Sequence, residues 1–515
     1  MLDKSLKDQI TTLFSSLKRE YKFRIRVKED HPDRDQLIEL LEEVASCSSR
    51  VSCEISDGDS LAFDITYDDM ALPVLFKAIP TGHEFTTLLL AILNLEGIGK
   101  NLPDEAVKAK IKALKPATLK SYISLTCTNC PDVVQALNLL SIFNPKIKHE
   151  IIDGALYQEE AANLNIQAVP SVYYNDQLLH VGRSDLGELL GKIEEKGGLD
   201  DLEVSQEVKR YDVVIAGGGP AGVSAAIYSA RKGFKVALVA GKVGGQINET
   251  MAIENMISQT RTTGPELSAG LRSHLSDYPV DLFENRTITD VFSADKSRSI
   301  KTNLGETFES KALIIATGAS WRKLNVPGEK EYIGSGVAFC THCDGPFYKG
   351  KRVVVVGGGN SGLEAAIDLS SIASSVVVLE FLDTLKGDQV LQDKIKTMAN
   401  VTVITNAATQ SIEGDGSKVT GLTWQDRTSG NSTHIDTDGV FVQIGLKANS
   451  TPFEKLVSIN RFGEIEIDAH CRTSLQGIYA AGDVTTVPFK QIVIAMGEGS
   501  KAALSAFEDN IKGVI

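Results

Sequence analysis

The 515-residue chain contains no apolar run long enough to span a bilayer, no tract rich in lysine and arginine, and only seven cysteines. Its apolar stretches, of which residues 88–93 are among the longest, fall well short of the ~20 residues that a membrane-crossing helix needs. Residues 1–20 mix charges with apolar residues at helical spacing and lack the continuous apolar core of a cleavable leader. With 53 lysines and arginines against 67 aspartates and glutamates, the formal charge is −14, which offers neither a phosphate backbone nor an anionic membrane a matching surface. Neither nucleic acid nor membrane is expected as a partner. Seven cysteines are too few to staple so long a chain, and four of them stand in two C-x-x-C pairs, which suits a reducing compartment and a cytoplasmic location. The other three, Cys47, Cys53 and Cys471, read as packing residues.

Apolar residues at 42%, charged residues at 23% and 44 glycines spread along the chain describe ordinary globular α/β material. The length calls for roughly three or four domains of about 100–200 residues each. Into that background are set Cys127-Thr128-Asn129-Cys130 and Cys340-Thr341-His342-Cys343. The first opens a helical pattern; the second stands just upstream of a glycine-rich fingerprint. A C-x-x-C pair alternates between dithiol and disulfide, and a helix N-terminus stabilises the attacking thiolate. Two such pairs in series suggest an electron relay. A zinc site is disfavoured, because paired C-x2-C ligands usually close within about 15–20 residues, whereas Cys130 and Cys340 are 210 positions apart.

Residues 211–239 read as strand, glycine turn, helix, strand, and residues 352–379 repeat the pattern. A shift of 140 places Gly217, Gly219 and Gly222 on Gly357, Gly359 and Gly362. In each triplet the first glycine permits the tight turn, the second lets backbone approach a pyrophosphate, and the third allows helix to pack on strand. Two dinucleotide-binding βαβ units are therefore expected. The same shift sets Ala240 against Glu380, 21 residues after Gly359. A carboxylate there accepts hydrogen bonds from an adenosine ribose diol. With Phe381 and Leu382 following and no arginine beside it, a 2′-phosphate goes unpaired, which favours NADH over NADPH. The first unit has no such acid and carries Lys242 nearby, so its ligand is left open by this test. Two more buried strands end in small-residue turns, at Thr317-Gly318 and at Gly482-Asp483, and suit close approach of a bulky ligand. The second precedes a helical pattern, from Gln491 to Phe507, whose N-terminal dipole would favour electron density on a reduced flavin.

Upstream, residues 121–125 read as a strand, Cys127 to Cys130 as a turn, and residues 131–140 as a helix with proline in its first turn. The proline of Ala168-Val169-Pro170-Ser171 precedes a further strand and is expected to be cis and to face the dithiol. This is a thioredoxin-like pattern. Residues 1 to about 100 read as a similar mixture of helices and strands without a C-x-x-C. Within them Glu84 reads first as the capping carboxylate of an apolar helix, a place near the dithiol being the alternative. Polar residues from Lys196 to Arg210 read as an interdomain linker. The fold expected is α/β, with tandem thioredoxin-like folds followed by two Rossmann-type dinucleotide-binding domains.

With these pieces placed, the chain resembles, over essentially its whole length, the flavoprotein (F) subunits of alkyl hydroperoxide reductases. From about Lys209 onward it is similar to bacterial thioredoxin reductases, notably in Cys340-Thr341-His342-Cys343-Asp344-Gly345-Pro346 shortly before Gly357-Gly358-Gly359. The N-terminal 200 residues or so separate the two families. The resemblance implies FAD in the first unit despite the missing acid, with Gly217, Gly219, Gly222, Gly245, Gln246, Thr317, Gly318, Asp483 and Gln491 as cofactor contacts. It implies NADH in the second, at Gly357, Gly359, Gly362 and Glu380. The chain then divides into a thioredoxin-like module without C-x-x-C (1–105), one with it (106–195), a linker (196–208), an FAD-binding domain (209–326 and 446–515) and an NADH-binding domain carrying the second dithiol (327–445).

The resemblance also implies a route. Electrons pass from NADH through FAD to Cys340/Cys343, then to Cys127/Cys130, then to the disulfide of a peroxiredoxin, the C subunit, whose reduced form destroys alkyl hydroperoxides and hydrogen peroxide. Cys343 lies against the flavin, Cys340 attacks onward, and Asp344 exchanges protons at the dithiol. Cys127 is the outward nucleophile and Cys130 the resolving thiol; His342 reads as a spacer. A homodimer through the flavin domains is implied as well. Because the second dithiol belongs to the nicotinamide domain, rotation of that domain is expected, with hinges near Pro327-Gly328 and Ile444-Gly445. Competing readings are an NADH oxidase that forms hydrogen peroxide, a thioredoxin reductase acting on free thioredoxin, and a thioredoxin-type adaptor that docks a partner without transferring electrons.

Overall fold

Apolar alternation at period two and two glycine-marked strand-to-helix turns translate into sheets whose carboxyl edges carry the candidate residues. The structure, a computed structural model, describes residues 2–515 except 128, 165, 167–168, 201–207, 251–252, 295–296 and 340, and the backbone alone of 249, 342, 343 and 346. Two units are distinguished, residues 1–203 and 204–515. The first contains strands β1 (Tyr21–Arg26), β2 (Val51–Ser56), β3 (Ala62–Tyr67), β4 (Met70–Lys77), β5 (Ala117–Ile123), β6 (Ile147–Asp153), β7 (Ser171–Tyr174) and β8 (Gln177–Val181). They form one sheet in the order β2-β1-β3-β4-β6-β5-β7-β8.

That order is an internal duplication. β1 runs parallel to β2 and antiparallel to β3, which pairs antiparallel with β4. β5 runs parallel to β6 and antiparallel to β7, which pairs antiparallel with β8. The two four-stranded halves join where β4 pairs in parallel with β6, Val74 opposite His149. In β1, Tyr21, Phe23 and Ile25 face the core while the residues between them reach towards water, as a half-buried strand requires. The apolar run at 88–93 belongs to the helix Phe85–Leu95, which is buried on nearly all sides between sheet and neighbouring helix. On β6 the buried His149 bridges Ser121 Oγ (2.8 Å) and Asn138 Oδ1 (2.8 Å). Burial holds its imidazole down to about 3, so this polar trio at the seam is neutral.

The second unit begins with β9 (Val208–Ala216), β10 (Val236–Val239), β11 (Val280–Phe283), β12 (Ile288–Ala294), β13 (Ser297–Thr302) and β14 (Thr307–Ile315). It continues with β15 (Ala319–Trp321), β16 (Val337–Ala338), β17 (Arg352–Val356), β18 (Ser375–Leu379) and β19 (Val401–Ile404). Then follow β20 (Ala407–Gly414), β21 (Val419–Asp426), β22 (Ser432–Asp436), β23 (Gly439–Val442), β24 (Leu446–Ala448) and β25 (Ile478–Ala480). Strands β11-β10-β9-β14-β13-β12 make one sheet, with β25 added beside β14. Strands β16-β23-β17-β18-β19 make a second, all parallel, and β20-β21-β22 an antiparallel third. The βαβ units expected from the glycine fingerprints are β9, the helix Pro220–Arg231 and β10, and β17, the helix Asn360–Ser370 and β18.

Chain passes between the mixed sheet and the parallel one through an antiparallel ribbon in which Ala319 faces Ala448 and Trp321 faces Leu446. This corrects one expected hinge. Pro327 O accepts a hydrogen bond from Ile412 N at 2.9 Å, and a Cβ on Gly328 would meet Ile412 O at 1.8 Å. The buried Glu329 carboxylate accepts from Leu324 N and Asn325 N, both at 2.7 Å. Residues 324–329 are thus built into the nucleotide-binding half, and the junction lies at the ribbon. Gly445, just before β24, has a φ of 99°.

The stretch expected as a linker is structured in its first part: the helix Leu186–Gly197 runs into it, Leu199 bridges Leu114, and Asp200 N donates to Ala113 O at 2.7 Å. Residues 201–207 lie outside the described residues. Among the described residues no helix is long and apolar enough to cross a membrane.

Candidate active site

The loop after β5 ends in the helix Cys130–Phe143, with Pro131 in its first turn where a missing N–H costs nothing. Cys127 is half-buried and Cys130 fully buried. Cys130 N donates to Cys127 Sγ at 3.1 Å, so the sulfur stands where the helix's orphan amides point. Hydrogen bonding from the Cys130 thiol is the chief cause holding the Cys127 thiol below its usual range; burial opposes it, and the Asn129 and Cys130 amides reinforce it. Burial, with its Cys127 neighbour, pushes the Cys130 thiol far up. One sulfur is therefore the more readily ionised of the two, and the other holds its proton. The Val169–Pro170 peptide is cis, and Val169 O lies 3.9 Å from Cys127 Sγ, so this loop does face the dithiol.

Glu84 departs from the capping expectation. It stands immediately before the helix Phe85–Leu95 but makes no cap hydrogen bond, is only 2% exposed, and neither carboxylate oxygen has a well-formed partner. Gly82 brings its turn there: the backbone is left-handed, φ 55°, and a Cβ would meet Leu125 O, just before the dithiol, at 2.9 Å. Burial pushes the Glu84 carboxyl up to about 7, and its charge bears on both Cys127 and Cys130. Of the remaining thiols, Cys47 and Cys471 are buried as packing residues should be, whereas Cys53 on the edge strand β2 is only half-buried.

In the second unit Ala216, Ile315 and Ala480 lie side by side at the carboxyl ends of β9, β14 and β25. Gly217, Thr317-Gly318 and Gly482-Asp483 leave from that edge, the location at which open α/β sheets take ligands. Gly217 has a φ of 112°, and a Cβ on Gly222 would stand 1.8 Å from Gly217 O, so helix and strand touch only because both are glycine. By contrast a Cβ on Gly219 or Gly318 would meet nothing within 4 Å, which leaves these backbones open to a ligand. Gly245 packs against Gly219 Cα. Gln246, with its amide in the satisfied orientation, donates to Ala319 O (3.1 Å) and accepts from Trp321 Nε1 (2.6 Å), tying this edge to the ribbon. Thr317 Oγ1 donates to Asn449 O at 2.8 Å. Burial raises the Asp483 carboxyl, with Lys490 pulling the other way. Gln491 stands at the N-terminal end of the helix Ile492–Ile511, makes no side-chain cap bond, and accepts from Asn255 Nδ2 at 3.1 Å. These residues converge, and they fit a dinucleotide whose phosphates meet a helix N-terminus.

The second fingerprint repeats the first closely. Gly357 has a φ of 123°, a Cβ on Gly362 would stand 1.9 Å from Gly357 O, and Gly359 faces open space. Glu380, at the end of β18, is 7% exposed; Oε2 accepts from Gly358 N at 2.5 Å and Oε1 from Leu382 N at 2.8 Å. Where the sequence shows no arginine beside Glu380, the fold supplies one: Arg427, 46 positions from Phe381, donates to Phe381 O at 2.8 Å. No spacing rule would have found it, because the β21–β22 turn delivers it. Trp321, which stacks on Phe339 at 5.9 Å between centroids, and Asn449 were missed for the same reason.

Cys340 and the side chains of His342 and Cys343 lie outside the described residues. Asp344 closes the short helix Thr341–Asp344, and its charge helps raise the buried Tyr348 phenol.

The sequence pattern of the pyridine nucleotide-disulphide oxidoreductase family matches residues 211–499, and that of a thioredoxin domain matches residues 119–195. The chain is 44% identical to the F subunit of an alkyl hydroperoxide reductase from Xanthomonas campestris pv. phaseoli, over 99% of this chain and 97% of that protein. It is also 44% identical to a Bacillus subtilis protein named NADH dehydrogenase, over 99% of each chain. Among solved structures, thioredoxin reductase from Streptococcus pyogenes is 34% identical, with a TM-score of 0.57, covering 59% of this chain and 100% of that one.

Proposed function

The chain belongs to the pyridine nucleotide-disulphide oxidoreductase family and, across its whole length, to the family of alkyl hydroperoxide reductase flavoproteins, and we propose that it is an NADH-dependent flavin disulfide reductase whose electrons leave as thiols for the disulfide of a peroxiredoxin. The observation that carries this reading is the asymmetric dithiol Cys127/Cys130, one thiol lowered and half-exposed, the other raised and buried, on the same chain as two dinucleotide-binding folds. We assign FAD to the first fold, expected at 209–326 and 446–515 but left by the chain at the β15–β24 ribbon, and NADH to the second, which runs from that ribbon to 445. FAD, when bound, accepts a hydride as an electron pair and returns that pair to a disulfide. Gly217, Gly219, Gly222, Gly245, Gln246, Thr317, Gly318, Asp483 and Gln491 would hold it, and Gly357, Gly359, Gly362 and Glu380 would hold NADH.

The thiol steps then balance on the chain's own residues. Cys127 thiolate attacks the peroxiredoxin disulfide, forming a mixed disulfide and releasing one partner thiolate. Cys130, losing its proton, attacks Cys127 Sγ and releases the second. Glu84, buried with a carboxyl near neutrality, is suited to take that proton. Cys340 next attacks the Cys127–Cys130 disulfide and Cys343 resolves it, which returns the outer pair to dithiol and leaves Cys340–Cys343 oxidised; Asp344 exchanges protons there. Rotation about the β15–β24 ribbon would present this inner dithiol and NADH in turn. The protein works in the cytoplasm as a homodimer in this reading.

In a second reading oxygen takes the electrons and hydrogen peroxide forms; the relative named NADH dehydrogenase shares with it only the oxidation of NADH. Replacing Cys127 and Cys130 by serine separates the two: peroxiredoxin reduction falls to background while NADH oxidation by oxygen persists. Unchanged peroxiredoxin reduction in that variant would refute the assignment.

A further inference from the structure

We propose that Phe381 and Arg427 form the adenine platform of the nucleotide bound at the second glycine fingerprint, Phe381 meeting the base and Arg427 acting as the residue that positions it. The proposal deepens the assignment of NADH to this fold and rests on it. Glu380 is already committed in orientation, each carboxylate oxygen taking one backbone N–H, from Gly358 and from Leu382. Each oxygen keeps a second acceptor site, so a ribose diol can still be received. In an adenosine the base is carried on C1′, the carbon next to the one bearing the 2′-hydroxyl. A ribose at Glu380 therefore sets its adenine within reach of the next residue, Phe381.

Phe381 is 54% exposed. Its ring is nevertheless not loose. The Arg427 guanidinium lies 3.9 Å from the ring centroid, and the same group donates to Phe381 O at 2.8 Å, so backbone and ring are gripped together. The grip is anchored in turn: Arg427 N donates to Asn406 O and Asn406 N to Leu382 O, both at 2.8 Å. Asp426 Oδ1 accepts from Thr428 N at 2.7 Å and closes the turn that carries Arg427. A guanidinium on one face of an exposed aromatic ring leaves the other face for a flat partner, and a purine is such a partner. A ring held in place beforehand loses less freedom on binding than a mobile one.

The test compares NADH with reduced nicotinamide mononucleotide, which carries the same hydride but no adenosine. Phe381→Ala and Arg427→Ala should each raise KM for NADH about tenfold, equivalent to 1.4 kcal/mol, with kcat unchanged and no effect on the mononucleotide. Phe381→Trp should restore the NADH value. Binding of ADP-ribose, followed by calorimetry, should weaken by the same factor in the alanine variants and needs no turnover. An unchanged NADH KM, an equal effect on the mononucleotide, or a wild-type protein that does not bind ADP-ribose would overturn the platform. Wild-type protein that binds ADP-ribose yet oxidises no NADH would leave the platform standing and remove the electron donor assigned above.

Discussion

Cys127 and Cys130 share one helix start but not one environment: the Cys130 amide donates to Cys127 Sγ at 3.1 Å, while the Cys130 side chain itself is wholly buried. The thiol that is lowered is also the one that is accessible, so reduced protein should react with iodoacetamide at Cys127 at pH values where an ordinary thiol is protonated. Peptide mapping should find Cys130 unlabelled over the same interval. Equal labelling of the two would contradict the assigned roles.

Glu84 should impose a pH dependence of its own. Its folded carboxyl, near 7, lies above the unfolded value, so the fold favours the protonated form. That contribution is present below about pH 4 and is lost as pH rises through about 7; at alkaline pH the shift amounts to roughly 3 kcal/mol. Urea unfolding of wild type should therefore weaken between about pH 5 and about pH 9 by an amount that Glu84→Gln removes. The same variant should slow peroxiredoxin reduction on the order of a hundredfold and abolish the inflection near neutrality in its pH profile.

The third glycine of each fingerprint should separate the two ligands. A Cβ at position 222 would press on Gly217 O at 1.8 Å, and one at 362 on Gly357 O at 1.9 Å. Gly222→Ala should purify with little visible flavin absorbance. Gly362→Ala should keep the flavin and lose NADH-dependent reduction, leaving dithiothreitol-driven reduction of the partner through Cys127 intact.

Arg286 and Glu306 form a buried pair, with side chains 1% and 6% exposed, joined at 2.9 Å and 3.1 Å, and Lys209 as a third member. Hydrogen bonds from Arg286 and Lys209 hold the Glu306 carboxyl below its usual range against the opposing effect of burial. Its stabilisation is present above the unfolded carboxylate value and is lost as pH falls. Glu306→Gln leaves Arg286 without its counter-charge and should destabilise the second unit by about 3 kcal/mol in chemical unfolding.

Much of this was legible in the sequence because the signals are local. The run from Arg352 to Leu379 contains β17, the glycine turn, the helix and β18 with the boundaries read from it, since valine-rich strands and a glycine triplet punctuate themselves. The helix after Cys130 runs to Phe143 rather than stopping at residue 140, and β5 begins at Ala117 rather than Ser121, both errors of extent set by tertiary packing. Glu84 was misread because a carboxylate before an apolar helix usually caps it, and only the β4–β6 join shows that the two halves of the first unit share one sheet. Arg427 reaches Phe381 through a hairpin and Asn406, and Pro327 is locked by Ile412 some 85 residues on. Contacts of that kind leave no periodicity to read.

Electrons must pass from one pair of sulfurs to the other for a peroxiredoxin to be reduced at the expense of NADH. Anaerobic titration of the oxidised protein with NADH, following flavin absorbance and free thiols together, measures this directly. One flavin and two disulfides predict uptake of about six electrons per chain, with four thiols appearing. Uptake of about two, with the thiols of Cys127 and Cys130 still oxidised, would contradict it.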